Sequence, residues 1–279
     1  MDIQTFLDRL SRERFYDGQI CHVRTIPARP PQFKDLQGGL TPALEKALHR
    51  AGVKRLYTHQ ASAIEHLRQG RNVVVVTGTA SGKTLCYTIP IVETLAAQPL
   101  ATALCLFPTK ALTQDQLRAL SRFQNEDEGL NFLAGAYDGD TPPTLRRQLR
   151  DSASVILTNP DMLHTGILPN HASWNRFLAH LKYVVIDEIH AYRGVFGSHL
   201  ANVLRRLRRL CNHYGSSPQF VCCSATIANP KEHAERVCGA PMELVNNDGS
   251  PRGAKRFVLW NPPPIKTAAT GSAGQWRAG

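Results

Sequence analysis

The sequence has few of the features that would place it in a membrane or in an oxidising compartment. No apolar run approaches the ~20 residues that a membrane-spanning helix needs. The N-terminal stretch, MDIQTFLDRLSRER, is amphipathic and contains acids, unlike a secretory signal. The seven cysteines are scattered, without a C-x-x-C spacing, so we expect neither a disulfide framework nor a cysteine-bound metal. We therefore expect a cytoplasmic protein, outside any membrane, whose cysteines are small core residues.

Acidic residues are also scarce relative to basic ones. The 279 residues include 33 Lys and Arg against 22 Asp and Glu, which gives a formal net charge of +11. This balance favours a polyanionic partner, nucleic acid first, although charge alone does not identify one. The length allows one large domain or two small ones, and no internal repeat or long low-complexity run is present.

Residues 71–84, RNVVVVTGTASGKT, have the pattern of a strand followed by a phosphate-binding loop. Val73 to Val76 predict a buried parallel strand, and the segment LCYTIPIVETLAA after the loop predicts a helix. A phosphate-binding loop requires this strand–loop–helix order. The residues predicted to surround the phosphates are Thr77, Gly78, Thr79, Ala80, Ser81, Gly82, Lys83 and Thr84.

The residue types within this loop suit an anion and a metal ion. Gly78 and Gly82 let the backbone fold tightly around phosphates, while Lys83 adds a full positive charge. The Thr84 hydroxyl is expected to ligate Mg²⁺. Thr77 stands where the pattern G-x-x-x-x-G-K-[ST] has its first glycine, so a chance GKT in a polar turn is the alternative.

A second segment, KYVVIDEIH at residues 182–190, places two carboxylates at the end of a buried strand. Ligands bind at this edge of α/β sheets. Asp187 is expected to hold Mg²⁺, and Glu188 to orient or deprotonate the attacking water. Such a pair alone is usually structural, but together with the loop it predicts nucleotide hydrolysis. A nucleoside triphosphate and Mg²⁺ are therefore the expected cofactors, with Lys83, Asp187 and Glu188 as catalytic residues, and the resemblance described below implies that the nucleotide is ATP.

Strand-like and helical patterns alternate through the rest of the chain. Helices are predicted over residues 2–14, over LTPALEKALHRAG with Thr41 as its cap, and over Thr58–Gln69. The further strand-like segments are TALCLFPT, NFLAGAYDGD, SVILTNP and QFVCCSAT. This alternation predicts an α/β fold with a mainly parallel central sheet and helices on both faces. From Asn246 the composition changes; FVLW is a possible strand, and the rest has no core pattern.

The short motifs occur in the order found in superfamily-2 helicases of the DEAD/DEAH-box type, which this sequence resembles over residues 40–263. The matching motifs are YTHQ (Q motif), TGTASGKT (motif I), PTKAL (Ia), TNPDML (Ib), DEIH (II) and SAT (III). DEIHAYRGVFGSHLANVLRRLRRL and FVLWNPP are closer to the MrfA/YprA-like DNA helicase branch. The resemblance implies a RecA-like P-loop NTPase domain.

The resemblance also implies roles for residues outside the loop. Tyr57 and Gln60 contact adenine, with Gln60 recognising the base. Residues that couple the ATP site to a partner domain are His190, Ser224, Ala225 and Thr226. Residues along the nucleic-acid strand are Pro108, Thr109, Lys110, Thr158, Asn159, Pro160 and Asp161. In the family these groups contact the phosphate backbone.

Each of these assignments has a structural alternative. Gln60 could be a solvated helix residue, His190 a satisfied structural histidine, and Ser224 and Thr226 ordinary loop hydroxyls. PTKAL and TNPDML could be plain turns into helices. Four arginines at helical spacing are expected to form a solvated face, with contact to nucleic acid as the alternative: Arg205, Arg206, Arg208 and Arg209.

The resemblance predicts three segments and a role for the whole protein. Residues 1–50 form a lead-in, 51–245 the first RecA-like domain, and 246–279 a linker and the start of a second domain. No Q-x-x-G-R-x-G-R-like segment and no four-cysteine region occur in the sequence. We therefore expect the ATP-binding half of a helicase that moves 3′→5′ on DNA and that has a second RecA-like domain when complete. An RNA helicase and a non-catalytic ATP- and nucleic-acid-binding fragment are the alternatives.

Overall fold

The computed structural model describes residues 2–262, which divide into two compact units. One unit contains the two ends of the chain, up to Pro31 and from Pro251 onward, and the other spans Gln32–Ser250. Among the described residues, no helix combines the length and apolar character needed to cross a lipid bilayer.

Nine strands are present in residues 2–262, and seven of them form the sheet of the larger unit. That sheet is parallel throughout, in the order β4-β5-β3-β6-β7-β2-β8. In chain order the strands are β1 (Ile20–Ile26), β2 (Val73–Val76), β3 (Thr102–Leu106), β4 (Ala134–Ala136), β5 (Val155–Thr158), β6 (Leu181–Ile186), β7 (Gln219–Ser224), β8 (Glu243–Val245) and β9 (Lys255–Trp260).

Ten α-helices are present in residues 2–262, and those that come after β2 connect successive strands of this sheet. In chain order the ten helices are α1 (Ile3–Leu10), α2 (Pro42–Arg50), α3 (Thr58–Arg68), α4 (Leu85–Ala97), α5 (Lys110–Ser121), α6 (Pro143–Ser152), α7 (Pro160–Met162), α8 (Asn175–Ala179), α9 (Gly194–His213) and α10 (Pro230–Cys238). Between α7 and α8 the chain forms a π-helical turn, Leu163–Ile167, and then 3₁₀ turns, Leu168–Trp174.

The central strand β2 is buried on both faces because helices cover both sides of the sheet. Its alternate residues enter two different cores. Val73 and Val75 pack in the core that contains residues of α2 to α5, and Val74 and Val76 in the core that contains residues of α9 and α10. Four consecutive valines fit this environment, because successive side chains of a strand point to opposite faces. The predicted α/β fold is thus confirmed.

Local sequence chemistry accounts for the start of α2. The Thr41 hydroxyl accepts the Leu44 N–H at 3.4 Å, and Pro42 occupies the first helical position. Gly52 lies just beyond the helix with a φ of +79°. This combination of cap, proline and glycine was predicted, and it fixes both ends of the helix.

The smaller unit contains α1 and an antiparallel pair of strands, β1 and β9. Ile20 lies opposite Trp260, and Ile26 opposite Lys255. The FVLW segment is therefore a strand, as predicted, and its partner within the described residues is β1. The assignment of residues 246–279 to a linker and the start of a second domain stays a prediction, and residues 263–279 lie outside the described residues.

Some local expectations differ from the structure. The helix predicted over residues 2–14 spans only Ile3–Leu10, and residues 11–15 form turns and a bend. The edge strand β8 was not predicted, since its three residues do not belong to a longer apolar run, unlike those of the equally short β4. Six cysteines are buried, whereas Cys21 is exposed on β1 and is not a core residue.

Candidate nucleotide site

The loop between β2 and α4 is held by its own side chains. The buried hydroxyls of Thr77 and Ser81 lie 2.6 Å apart and share a hydrogen bond. Lys83 Nζ donates to the carbonyl oxygens of Thr77 at 3.2 Å and Gly78 at 2.9 Å. Thr77 therefore replaces a glycine with a residue whose side chain ties the two ends of the loop together.

Two residues of the loop adopt left-handed backbone conformations. Ala80 has a φ of +58° and Gly82 a φ of +79°. A Cβ on Gly82 would lie 2.6 Å from Gln60 Nε2, so glycine is needed here for both conformation and space. Ala80 adopts its conformation without that freedom, which marks the turn as strained.

Gln60 connects α3 to this loop. Its Oε1 accepts the Tyr57 N–H at 2.9 Å, and its Nε2 donates to the Gly82 carbonyl at 3.0 Å. The side chain is 2% exposed. Both ends of the amide are thus engaged within the protein. The structure brings Gln60 against the loop, and its recognition of adenine stays a prediction.

Asp187 follows β6 and lies at the same edge of the sheet as the loop. It is 8% exposed. Its Oδ1 accepts the Glu188 N–H at 2.9 Å, and its Oδ2 accepts the Tyr87 hydroxyl at 3.2 Å. Burial raises the pKa of this carboxyl above its ordinary value, while the Glu188 N–H lowers it. Among the described residues Asp187 has no ion pair, although Lys83 lies close enough to favour its charged form.

Tyr87 is a part of this site that the sequence did not identify. It lies in the first turns of α4, is 4% exposed, and its hydroxyl reaches Gln116 Oε1 at 3.1 Å as well as Asp187. Burial raises the pKa of Tyr87, and the nearby Thr84 side chain partly offsets this rise. The phenol of Tyr87 therefore bonds to Asp187 and lies near Thr84, the two residues predicted to ligate Mg²⁺. The only available indication was its helical spacing of three from Thr84.

Glu188 and His190 are joined to the segment predicted as motif III. Glu188 has a φ of +51°, a strained conformation for a residue with a Cβ. Its Oε2 lies 3.1 Å from His190 Nδ1, and the Ala225 N–H donates to the same nitrogen at 3.3 Å. Nδ1 can accept from Ala225 or carry a proton toward Glu188, but not both. The two motifs thus meet at one imidazole nitrogen.

The other residues of the SAT segment, Ser224 and Thr226, differ in burial and in their contacts. The Ser224 hydroxyl donates to the Ala225 carbonyl at 2.7 Å and is buried. Thr226 is exposed. The structure brings His190 and Ala225 together, whereas the roles of Ser224 and Thr226 in coupling stay predictions.

A cleft of about 410 Å³ collects most of the predicted catalytic groups. Lys83 is the only cation among its described lining residues. The lining consists of Thr79, Ala80, Ser81, Gly82, Lys83, Thr84, Leu112, Gln116, Asp187 and Glu188. Asp248 adds a carboxylate at the entrance of the loop, where its Oδ2 accepts the Gly78 N–H at 3.4 Å.

The predicted nucleic-acid residues after β3 lie at the start of α5. Thr109 caps this helix by accepting the Leu112 N–H at 3.3 Å, and Lys110 is exposed. The Lys110 ammonium pairs with Asp140, and this hydrogen bond raises the pKa of Lys110. A phosphate must therefore compete with, or displace, an exposed carboxylate.

The residues after β5 present only part of the predicted surface. Thr158 is 1% exposed, and its hydroxyl donates to the Tyr137 carbonyl at 2.5 Å. This hydroxyl is therefore not available to a nucleic-acid strand. Asn159 caps α7 by accepting the Met162 N–H at 2.8 Å, Pro160 is buried, and Asp161 is exposed. Any contact from this segment has to come from Asn159, Asp161 or the backbone.

Comparisons with known proteins cover most of the chain. The family description "DEAD/DEAH box helicase" matches residues 57–233. The "Uncharacterized ATP-dependent helicase YprA" of Bacillus subtilis is 49% identical over 238 residues, which are 85% of this chain and 32% of that protein. The "ATP-dependent helicase HRQ1" of Saccharomyces cerevisiae is 46% identical over 265 residues, 94% of this chain and 24% of that protein.

A solved structure is similar over nearly the same extent. The crystal structure of the DUF1998 helicase MrfA bound to DNA and AMPPNP superposes on this chain with a TM-score of 0.88 at 44% identity. The aligned region covers 95% of this chain and 37% of the MrfA chain. The chain thus spans about a quarter to a third of the length of the proteins it matches. Its sheet is the RecA-like α/β fold of helicase cores, and the chain belongs to the DEAD/DEAH box helicase family.

Proposed function

We propose that this chain is the ATP-binding and water-activating part of a DNA-directed helicase or translocase. The observation that carries the proposal is the shared cleft, in which the loop lysine, Lys83, and the acidic pair, Asp187 and Glu188, lie together. Strands β2 and β6 deliver these groups to one edge of the sheet, where ligands of such folds bind.

The residues present fit the phosphates of a nucleotide. Within the described residues Lys83 has no carboxylate partner and donates only to two loop carbonyls. An ammonium held in this way retains its charge for an anion. The cleft has room for a polyphosphate, and α4 begins at its wall, so that the helix N-terminus favours negative charge there.

The residues also fit a magnesium ion. Asp187 is a buried carboxylate whose charged form is disfavoured by desolvation, and a divalent cation would offset that cost. Hard cations prefer oxygen ligands, which Asp187 and the Thr84 hydroxyl supply. When bound, the ion would neutralise charge on the transferring phosphoryl group.

Glu188 is the residue that we assign to water activation. Its carboxylate lines the cleft and is 31% exposed, so it can reach a water molecule in front of the loop. His190 Nδ1 faces both the Glu188 carboxylate and the Ala225 N–H, and it can bond to only one of them at a time. A change at Glu188 therefore reaches the segment after β7 through one side chain, which is how we propose that hydrolysis is coupled to movement.

The nucleic acid is proposed to be DNA. MrfA has been solved bound to DNA, and this chain is 44% identical to it. The formal charge of +11 is consistent with a polyanion. We propose movement in the 3′→5′ direction and recognition of the phosphate backbone, with little dependence on sequence.

Substitution of the loop lysine tests the proposal. We expect Lys83→Ala to weaken MgATP binding by at least about 100-fold, roughly 3 kcal/mol, because it removes the cleft's cation. Lys46→Ala, at an exposed lysine of α2, is the control and should bind normally. Calorimetry measures both, with circular dichroism to check folding. Equal MgATP affinity in the two variants would contradict the assignment of this loop to a nucleotide. A separate competition between matched DNA and RNA strands decides whether the nucleic-acid substrate is DNA or RNA.

A further inference from the structure

The helix that follows motif II, α9, carries arginines that the nucleotide site does not use. Over its 20 residues it has four arginines and two histidines, with no acidic residue. Other helices of the chain contain arginines that pair with carboxylates. Arg50 of α2 pairs with Glu128 at 2.6 Å, and Arg68 of α3 pairs with Glu93 at 2.6 Å.

None of the four arginines of α9 has a carboxylate partner among the described residues. Arg208 is structural, because it donates to the Gly239 carbonyl at 2.5 Å, just beyond the end of α10. Arg206 donates to His164 Nδ1 at 2.8 Å. Arg205 donates to the Asn202 amide oxygen at 2.8 Å, and both Arg205 and Arg209 are exposed. Three guanidinium groups thus reach solvent with their charge unneutralised by any carboxylate of residues 2–262.

Two depressions run along this helix and meet at Asn202 and Arg205. One, of about 580 Å³, lies between the first half of α9 and α10 and includes Arg193, His233 and Arg236 in its lining. The other, of about 570 Å³, is lined by the arginines of α9 with Asn202 and Asn212. No carboxylate of the described residues lines either depression. We call the continuous feature the α9–α10 basic groove.

The groove follows most of α9, which is about 30 Å long at 1.5 Å per residue. Its first part adjoins the turn that carries motif II, because His233 Nε2 lies 3.1 Å from the Ile189 carbonyl oxygen. Arg236 of the groove has an acidic partner, Glu232, at 2.5 Å. The positive charge of the groove is therefore concentrated at Arg193, Arg205, Arg206 and Arg209.

We propose that the α9–α10 basic groove binds the sugar–phosphate backbone of a nucleic-acid strand, as a second contact surface outside the motif Ia and Ib segments. A planar guanidinium offers paired donors that match phosphate oxygens. Arg205 and Arg209 are one helical turn apart, about 6 Å along the axis, so a repeating anion can engage both. The proposal rests on the proposed action on nucleic acid, which would hold a strand close to this surface. An acidic protein segment is the competing occupant.

The test uses the full chain and the double substitution Arg205→Gln with Arg209→Gln. Both side chains are exposed, so the fold should be retained. The matched control, Lys46→Gln with Arg122→Gln, removes two exposed cations from other parts of the chain. Fluorescence anisotropy measures the affinity for single-stranded DNA of about 6 and about 20 nucleotides, lengths chosen to lie near and beyond the size of a single-strand binding site. Each titration is repeated at several salt concentrations.

We expect the groove variant to bind the longer strand about tenfold more weakly than the control at low salt. The slope of log affinity against log salt should become shallower by about 1.4, since each phosphate that an arginine no longer neutralises accounts for ~0.7. The short strand should show a smaller decrease in affinity. MgATP affinity should be unchanged in both variants, since neither pair touches the cleft.

Several outcomes would overturn the inference. Equal DNA affinity and equal salt slope in the groove variant and the control would overturn the groove proposal. If Lys110→Gln nevertheless binds DNA more weakly than the wild type, the proposed function stays intact. If the wild-type chain binds no DNA, the proposed nucleic-acid function fails and the groove assignment fails with it. If a polyglutamate peptide binds the groove more tightly than DNA does, and only in the presence of Arg205 and Arg209, the occupant is an acidic protein.

Discussion

At the scale of single residues, Asp187 shows how the site trades stability for function. Its carboxylate is buried, it has no ion pair among the described residues, and burial raises its pKa. For an acid with a raised native pKa, the folded state binds protons more tightly than the unfolded state. Asp187 therefore lowers stability as the pH rises from the unfolded pKa through the folded one. A bound cation would reverse this cost.

Asp187→Asn should separate the stability cost of the buried carboxylate from its role in metal-dependent nucleotide binding. We expect the melting temperature without metal at pH 7 to rise by roughly 2–4 °C, about 1 kcal/mol in a domain of this size. The gain should shrink at acidic pH, where the wild-type carboxyl is protonated. Mg²⁺-dependent nucleotide binding should be lost. Thermal melts across pH measure the first effect and calorimetry the second, with Asp35→Asn, at a carboxylate 92% exposed, as the control. A lower melting temperature at neutral pH would contradict this account.

Tyr87 provides a second prediction at this scale. Tyr87→Phe keeps the ring but removes the hydroxyl that contacts Asp187 and Gln116. We expect nucleotide affinity in the presence of Mg²⁺ to fall by about three- to tenfold, roughly 0.7–1.4 kcal/mol, which is the net contribution of one ordinary hydrogen bond. Affinity measured with excess chelator should not change, because the phenol does not line the cleft. A decrease of equal size in both conditions would mean that Tyr87 only supports the fold.

At the scale of elements, the contact between α3 and the nucleotide loop depends on a glycine. Gly82 and Gly70 have nearly the same φ, +79° and +78°, but a Cβ on Gly70 meets nothing within 4 Å. Gly70→Ala therefore measures the backbone strain alone, about 1–2 kcal/mol. Gly82→Ala adds the displacement of Gln60 and the removal of its bond to the Gly82 carbonyl.

We expect Gly82→Ala to cost about 1 kcal/mol more than Gly70→Ala in the free energy of unfolding. Urea denaturation of both variants measures the difference. In a Gln60→Ala background the extra cost should disappear, because the side chain that meets the new Cβ is gone. If the difference persists in that background, Gln60 does not hold the loop in place.

Sequence patterns predicted the elements that carry continuous apolar runs or clear end residues. The helix Leu85–Ala97 was predicted with its observed ends, because it starts at the phosphate loop and ends before a polar turn. The strand Glu243–Val245 was missed, since its three residues lie outside any longer apolar run. Its place at the sheet edge is set by pairing with Val73–Val75, which the sequence does not encode locally.

The sequence predicted the parts of the candidate site that lie in recognisable motifs. It did not predict the contacts that loops elsewhere in the chain supply. Lys83, Asp187 and Glu188 were predicted to meet because their strands end at the same edge of the sheet, and the cleft brings them together. Asp140 beside Lys110 and Asp248 beside Gly78 were not predicted, because loops far apart in the chain supply them. The inward direction of the Thr158 hydroxyl likewise depends on the neighbouring strand β4 and its following residue, Tyr137.

At the scale of the whole molecule, the nucleotide cleft contains groups for binding and for water activation but no arginine among its described lining residues. The chain covers 32% of YprA, 24% of HRQ1 and 37% of the solved MrfA chain. In P-loop enzymes an arginine that approaches the γ-phosphate stabilises charge in the transition state. The resemblance assigns such arginines to a second RecA-like domain, so we expect the cleft residues to hydrolyse ATP slowly without it.

We expect the 279-residue chain to bind MgATP but to hydrolyse it slowly. Removal of an arginine finger lowers the rate by ~10³–10⁵, which corresponds to about 4–7 kcal/mol in the barrier. Glu188→Gln should then change the residual rate little, because charge stabilisation and not water activation already limits it. Steady-state turnover with and without single-stranded DNA measures both effects, and adding the second RecA-like domain of a relative should raise the rate. Robust DNA-stimulated hydrolysis by the chain alone would contradict this account. It would require an arginine of this chain to reach the γ-phosphate. The exposed Arg205 and Arg209, contributed by a second copy, would then be the first residues to mutate.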